Sequence, residues 1–229
     1  MSGSGNNIEA ELPLIEIETA SEVTASVIWL HGLGASGDDF APVVPELNFP
    51  PTMGVRFVFP QAPSIPVTIN SGYVMPAWYD ILSVDIEREL DKTQFMASVG
   101  LVQNLISREI ARGIPVERIF VIGFSQGGAV AYQSVLGGEL PLAGLVAMST
   151  YIGHLDWLPE EVMKSHTNLP VLIMHGSMDS VVPESLALKA QSALSAVGLS
   201  PELKIYSMEH TVCPAQIQDL SQWLQRCLA

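Results

Sequence analysis

Apolar residues follow two rhythms along this chain. Compact β-rich runs occupy Ser26–Leu30, Val55–Phe59, Arg118–Ile122, Leu142–Met148, Pro170–Met174 and Leu203–Ser207. Turn residues bound most of them, which suits strands of a parallel sheet covered on both faces. Leu14–Glu18 reads as an edge strand, with Ile15 and Ile17 alternating against Glu16 and Glu18. The second rhythm is helical. Thr93–Gly113 carries Phe95, Val99, Val102, Leu105, Ile106 and Ile110 on one face. Gln126–Leu136 is apolar nearly all round and Gly/Ala-rich at its start, so it predicts a buried central helix. Glu184–Val197 and Pro214–Leu228 are amphipathic. Strands alternating with helices predict an α/β class: a mostly parallel central sheet with helices on both faces.

No internal repeat or low-complexity linker interrupts the pattern. The expectation is a single domain over residues 11–229, behind a flexible tail at 1–10 that opens with small polar residues. Gln61–Asp91 breaks both rhythms, with several prolines and aromatics. Long irregular segments in compact domains are often binding loops. This one is read as part of a substrate wall. Its apolar residues between Gln61 and Ile81 offer a face for a homodimer, or a lid.

Composition narrows the function classes. Hydrophobic residues make up 48% of the chain and charged residues 15%, enough to build a large core. The formal net charge of -14 excludes a nucleic-acid partner, which needs a basic footprint. It also disfavours docking on anionic lipid by charge. No apolar stretch has the length of a membrane span, and Gly144 interrupts the run Leu142–Met148. With no basic-then-apolar leader, the expected location is cytoplasmic, without stable membrane insertion. Two cysteines, Cys213 and Cys227, do not make a disulfide framework.

The chemistry concentrates at Gly123-Phe124-Ser125-Gln126-Gly127-Gly128. This G-x-S-x-G follows an apolar strand and opens a helix, the context in which a serine is forced into a tight, exposed turn. Ser125 is the candidate nucleophile. A base and an orienting acid must accompany it. His210 and Asp179 each follow a β-rich run, so both fall at the sheet edge that presents Ser125. The chain order Ser125, Asp179, His210 is the order of the α/β-hydrolase fold. The Gly-rich turn His31-Gly32-Leu33-Gly34 predicts an oxyanion hole made by the backbone N–H groups of Leu33 and Gln126.

Rivals are weaker. Asp156 and Glu161 lie several residues beyond the nearest strand. His31 reads as ordering its own loop, and His175 as a packed structural histidine. His154 and His166 read as surface-loop residues. Asp38 and Asp39 fit a cap for a helix beginning near Phe40, not a metal site. Cys213 reads as a buried structural thiol. Met53, Met75, Met178 and Met208 fit either an adaptable groove or core filling.

At these residues the chain resembles the phospholipase/carboxylesterase family. The resemblance rests on Leu30-His31-Gly32-Leu33-Gly34, Pro60-Gln61-Ala62-Pro63, Met75-Pro76-Ala77-Trp78-Tyr79-Asp80, the Ser125 motif and His175-Gly176-Ser177-Met178-Asp179. It covers about residues 25 to 228 and departs at Glu209, where relatives often carry a small residue before the histidine. It implies an α/β-hydrolase fold without metal or other cofactor. It also implies activity on short to medium acyl esters, lysophospholipids or S-acylated proteins. By the same resemblance Trp78 lies near the acyl site without a catalytic role; Met178, from the methionines that fit an adaptable groove, is a separate candidate for substrate contact. The reading placed first is a carboxylesterase acting through an acyl-enzyme on a small-molecule ester or thioester. The alternatives are an acyl-protein thioesterase or lysophospholipase whose substrate includes S-acylated protein, an acyl transferase, and a non-catalytic binding protein on the same fold.

Overall fold

Alternation along each strand decides which side chains face which layer. The structure is a computed structural model that describes residues 12–83, 89–158, 166 and 168–229. The expected tail at 1–10 and the rival acid Glu161 lie outside the described residues. The main sheet contains β1 (Leu14–Glu18), β2 (Ala25–Leu30), β3 (Val55–Pro60), β8 (Ile119–Phe124), β9 (Gly144–Met148), β10 (Val171–Gly176) and β11 (Glu202–Tyr206). Its seven strands run in the order β1-β3-β2-β8-β9-β10-β11. Among the described strands of this sheet, only the edge strand β1 is antiparallel to its neighbour; the other pairings are parallel.

On one face Ile28, Leu30, Val121 and Ile173 pack against α1 (Lys92–Ala111), α2 (Gln126–Leu136) and α3 (Glu184–Ala196). On the other, Trp29, Phe120, Ile122, Met148 and Met174 pack against α4 (Pro214–Leu228) and the 3-10 turns of Ala41–Leu47. The apolar runs therefore lie between two helical layers, as their lack of polar alternation requires. Every side chain of α2 is buried. Among the described residues, no helix is long and apolar enough to cross a membrane.

The segment 61–91 is more regular than its sequence pattern suggests. It contains two small antiparallel pairs, β4 (Ser64–Val67) with β5 (Tyr73–Pro76), and β6 (Ile81–Ser83) with β7 (Glu89–Leu90). Strands this short, carrying Pro66 and Pro76, give no readable period. The helix expected near Phe40 is two 3-10 segments, Gly37–Asp39 and Ala41–Leu47. Asp39 caps the first, accepting from the Ser36 N–H at 2.6 Å. His166 is not a surface residue as expected. It is buried, and its Nε2 donates to the Gly138 carbonyl at 2.6 Å, in the turn that follows α2. Cys213 is half-buried and unpaired, not fully buried as expected.

At the edge of the sheet away from the Ser125 turn, a charge network ties β1 and β3 to α1. Glu109 is fully buried and accepts from Arg56 at 2.9 Å, Ser26 at 3.0 Å and Arg112 at 3.0 Å. Arg112 and Arg108 also hold Glu16 on β1. Burial by itself would raise the Glu109 carboxyl, but the Arg56 and Ser26 hydrogen bonds and the arginine charges outweigh it and hold it below the ordinary 4.5. The Arg112 hydrogen bond does the same for Glu16. Depressed carboxyl groups add stability above their unfolded values and lose it as pH falls toward their folded ones. Glu109→Ala removes the buried acceptor of Ser26, Arg56 and Arg112 and leaves half-buried Arg56 with Glu18 as its ion partner, so it is expected to lose about 1–3 kcal/mol in urea unfolding at pH 7. The gap from wild type should narrow as the pH of the same melts falls below the ordinary carboxylate value toward the lowered folded one.

Candidate active site

Strand β8 runs into α2 through a single residue. Ser125 sits at φ 52° and ψ −120°, a left-handed conformation unusual for a side chain with a Cβ. Its N–H donates to the Met148 carbonyl at 2.9 Å, and its own carbonyl accepts from Thr150 Oγ1 at 2.6 Å. Neighbouring backbone presses on this turn. A Cβ on Gly123 would stand 2.4 Å from the Gly127 carbonyl oxygen, and one on Gly127 2.5 Å from that of His31. The glycines of the motif are there for that close approach.

The C-terminal ends of parallel β8, β10 and β11 bring three expected residues together. His210 Nε2 lies 2.9 Å from Ser125 Oγ, and its Nδ1 lies 2.7 Å from Asp179 Oδ2. An N–H on Nδ1 donates to the carboxylate and leaves Nε2 free to accept from the serine. The other carboxylate oxygen of Asp179 accepts from the N–H groups of Val181 at 2.9 Å and Val182 at 2.8 Å, which fixes its plane. His175 is buried beneath, its Nε2 donating to the Val182 carbonyl at 2.8 Å, in keeping with a structural histidine. The departure at Glu209 is accommodated: Glu209 is exposed, and the His210 loop packs by its backbone against Gly176. Asp156 is exposed on a separate turn, Leu155–Trp157. His154 is half-buried, its ring tilted against that of Trp157 at 4.2 Å between centroids.

The loop after β2 closes the site from the other side. His31 is fully buried; its Nδ1–H donates to the Gly32 carbonyl at 2.7 Å, and its Nε2 accepts from the Ala62 N–H at 3.0 Å. Burial holds this imidazole below its ordinary value, only partly offset by the Gly32 hydrogen bond and the Asp39 charge. Leu33 and Gln126 flank the serine in one cavity of about 460 Å³, which Ile69, Ile81, Tyr151, Val181 and Val182 also line. As the first residue of α2, Gln126 has a backbone N–H with no partner within the helix. Trp78 and Met178 do not line this cavity. Trp78 is 2% exposed, and its indole N–H donates to the His31 carbonyl at 2.9 Å. Met178 is 54% exposed outside it, while Met208 is buried. Among the described residues, no group of three or more His, Cys, Asp or Glu is placed to hold a metal ion.

The phospholipase/carboxylesterase family profile matches residues 14–228. The chain belongs to that family. It is a serine-type ester hydrolase on the α/β-hydrolase fold. Acyl-protein thioesterase 1 of Neurospora crassa is 34% identical over 94% of this chain and 91% of its own. Acyl-protein thioesterase 1 of Cryptococcus neoformans is 36% identical over 93% of this chain and 97% of its own. The crystal structure of Arabidopsis thaliana SOBER1 superposes with a TM-score of 0.81, at 30% identity, over 90% of this chain and 99% of that one.

Two contributions in this family site escaped sequence reasoning. One is the Gln126 side chain. Its Oε1 accepts from the Trp78 N–H at 2.8 Å, and its Nε2 donates to the Tyr79 carbonyl at 2.7 Å. The Met75–Asp80 segment is thereby strapped to both the Ser125 turn and the His31 loop. The other is Thr150, which holds the Ser125 carbonyl. Neither has a signal of its own in one sequence, because each acts on backbone brought near only by the fold. Gly127→Ala is expected to destabilise the protein by about 1–3 kcal/mol in urea unfolding. By pushing on the His31 carbonyl it should lower kcat more than it changes KM for a chromogenic ester.

Proposed function

We propose that this chain hydrolyses fatty-acyl thioesters, with S-acylated protein as the substrate class, through Ser125, His210 and Asp179. His210 takes the proton of Ser125 as the serine attacks the acyl carbonyl. Asp179 holds the imidazole in the tautomer that leaves Nε2 basic and stabilises the charged ring that follows. The N–H groups of Leu33 and Gln126 stabilise the tetrahedral oxyanion. The thiol leaves with the proton from His210, and water, activated by the same histidine, releases the acid. No step calls for a metal or cofactor.

The observation that carries the mechanism is the hydrogen-bonded line from Ser125 Oγ through His210 to Asp179, at 2.9 and 2.7 Å. The substrate class rests on the relatives named acyl-protein thioesterase, which move the thioester ahead of the small-ester carboxylesterase placed first from sequence. The apolar walls beside Ser125 suit an acyl chain in either case. The reading takes residues 11–229 as one domain. Two unpaired cysteines fit a reducing compartment such as the cytoplasm. Tyr73 at 70% exposure and Val74, on the β4–β5 hairpin, offer a face for a second copy; a dimeric mass in solution scattering would support it.

Two octanoylated peptides, identical except for an S-acyl cysteine or an O-acyl serine, test the proposal. The thioester is expected to have the higher kcat/KM. Equal or inverted values would return the protein to the carboxylesterase reading. Ser125→Ala should lower kcat on both by about 10⁴ or more. Full activity in that variant would remove the nucleophile assignment.

A further inference from the structure

Two cavities among the described residues share one residue, Tyr151. The cavity over Ser125 and a second of about 300 Å³, between residues 151–156 and α3, both have Tyr151 in their walls. Tyr151 is only 4% exposed. Its hydroxyl pairs with that of Tyr79 at 2.8 Å, and the Tyr79 ring is held edge-on by Phe95. These contacts hold the ring in place. Among the described residues, the second cavity is lined by Ile152, Leu186, Ala190 and Ala193, with Lys189, Asp156 and His154 also in its wall.

We propose that Tyr151 is the end stop of the acyl site: its ring sets the longest acyl chain accepted, and the second cavity is the space a longer chain enters when that ring is removed. The proposal rests on the reading of Ser125, His210 and Asp179 given above.

The direction of the chain follows from the histidine. A leaving group must sit beside His210 Nε2 to receive its proton. The His210 ring lies against Phe124, at 5.0 Å between centroids, and Phe124 packs with the core layer beneath α4. Tyr151, Ile81 and Val182 belong to the opposite layer, beneath α1, α2 and α3. The acyl chain leaves the carbonyl away from the leaving group, so it runs toward Tyr151. Each methylene gains by leaving water for such a site. That gain ends where the chain meets a packed aromatic ring, because overpacking is unfavourable.

The test measures kcat/KM on p-nitrophenyl esters from butyrate to palmitate, with thermal melting to confirm folding. Tyr151→Ala is expected to raise the laurate-to-butyrate ratio about tenfold or more. Tyr151→Leu, a milder change, should move it in the same direction if the alanine variant does not fold. Tyr151→Phe should keep the wild-type ratio, because the ring and not the hydroxyl forms the wall. Adding Leu186→Trp to the opened variant fills the second cavity and should bring the ratio back. A folded, active Tyr151→Ala enzyme with an unchanged ratio would overturn the proposal. So would a long-chain gain that survives Leu186→Trp. Failure of the underlying mechanism looks different, since Ser125→Ala would then hydrolyse these esters as wild type does.

Discussion

The left-handed backbone at Ser125 is the constraint on which the rest of this site depends. A side-chain-bearing residue in such a conformation costs on the order of 1–3 kcal/mol and persists only where its surroundings over-determine it. Here they do. The Ser125 N–H is tied to β9 through Met148, and its carbonyl to Thr150 just beyond that strand. Gly123 and Gly127 let α2 fold back so closely that no Cβ fits between the helix and the strand ends. The strain lifts the serine oxygen off the sheet and sets it at the amino end of α2, where N–H groups favour developing negative charge.

The groups around the serine are delivered mainly by the parallel register of the sheet. Strands β2, β8, β9, β10 and β11 point the same way, so the loops that follow them open on one edge. Each contributes one part: the His31 turn, the serine, Thr150 and Tyr151, the acid, and the histidine. The parts are then locked to each other by side chains outside the Ser125–His210–Asp179 line. Gln126 ties the Trp78 and Tyr79 backbone to the serine turn, and Trp78 ties that strap to His31. His175 ties the acid turn to Val182. The opposite edge carries the buried Glu109 network, so the ion pairs that clamp β1 and β3 to α1 lie away from the site.

The regular elements were legible in the sequence because burial on both faces leaves long apolar runs with turn residues at their ends. Pro214–Leu228 and Gln126–Leu136 are helices over those very residues, and the edge strand Leu14–Glu18 keeps its alternation. Gln61–Asp91 was not legible, because paired strands of two to four residues give no period to read. His166 was misread for a related reason. Only the end of α2 at Gly138 makes its position buried and its imidazole partnered.

Local sequence by itself determined the α/β class, the Ser125 turn and the chain order of its partners. Those depend on residue type at short range: glycines around a serine, apolar runs, an acid and a histidine just past strands. Tertiary structure alone decided what each side chain touches. It turned Trp78 away from the cavity and onto the His31 carbonyl, left Met178 in solvent, and set Tyr151 between two cavities. These depend on where remote segments meet once the sheet has formed, and no spacing along the chain encodes a distance across a fold.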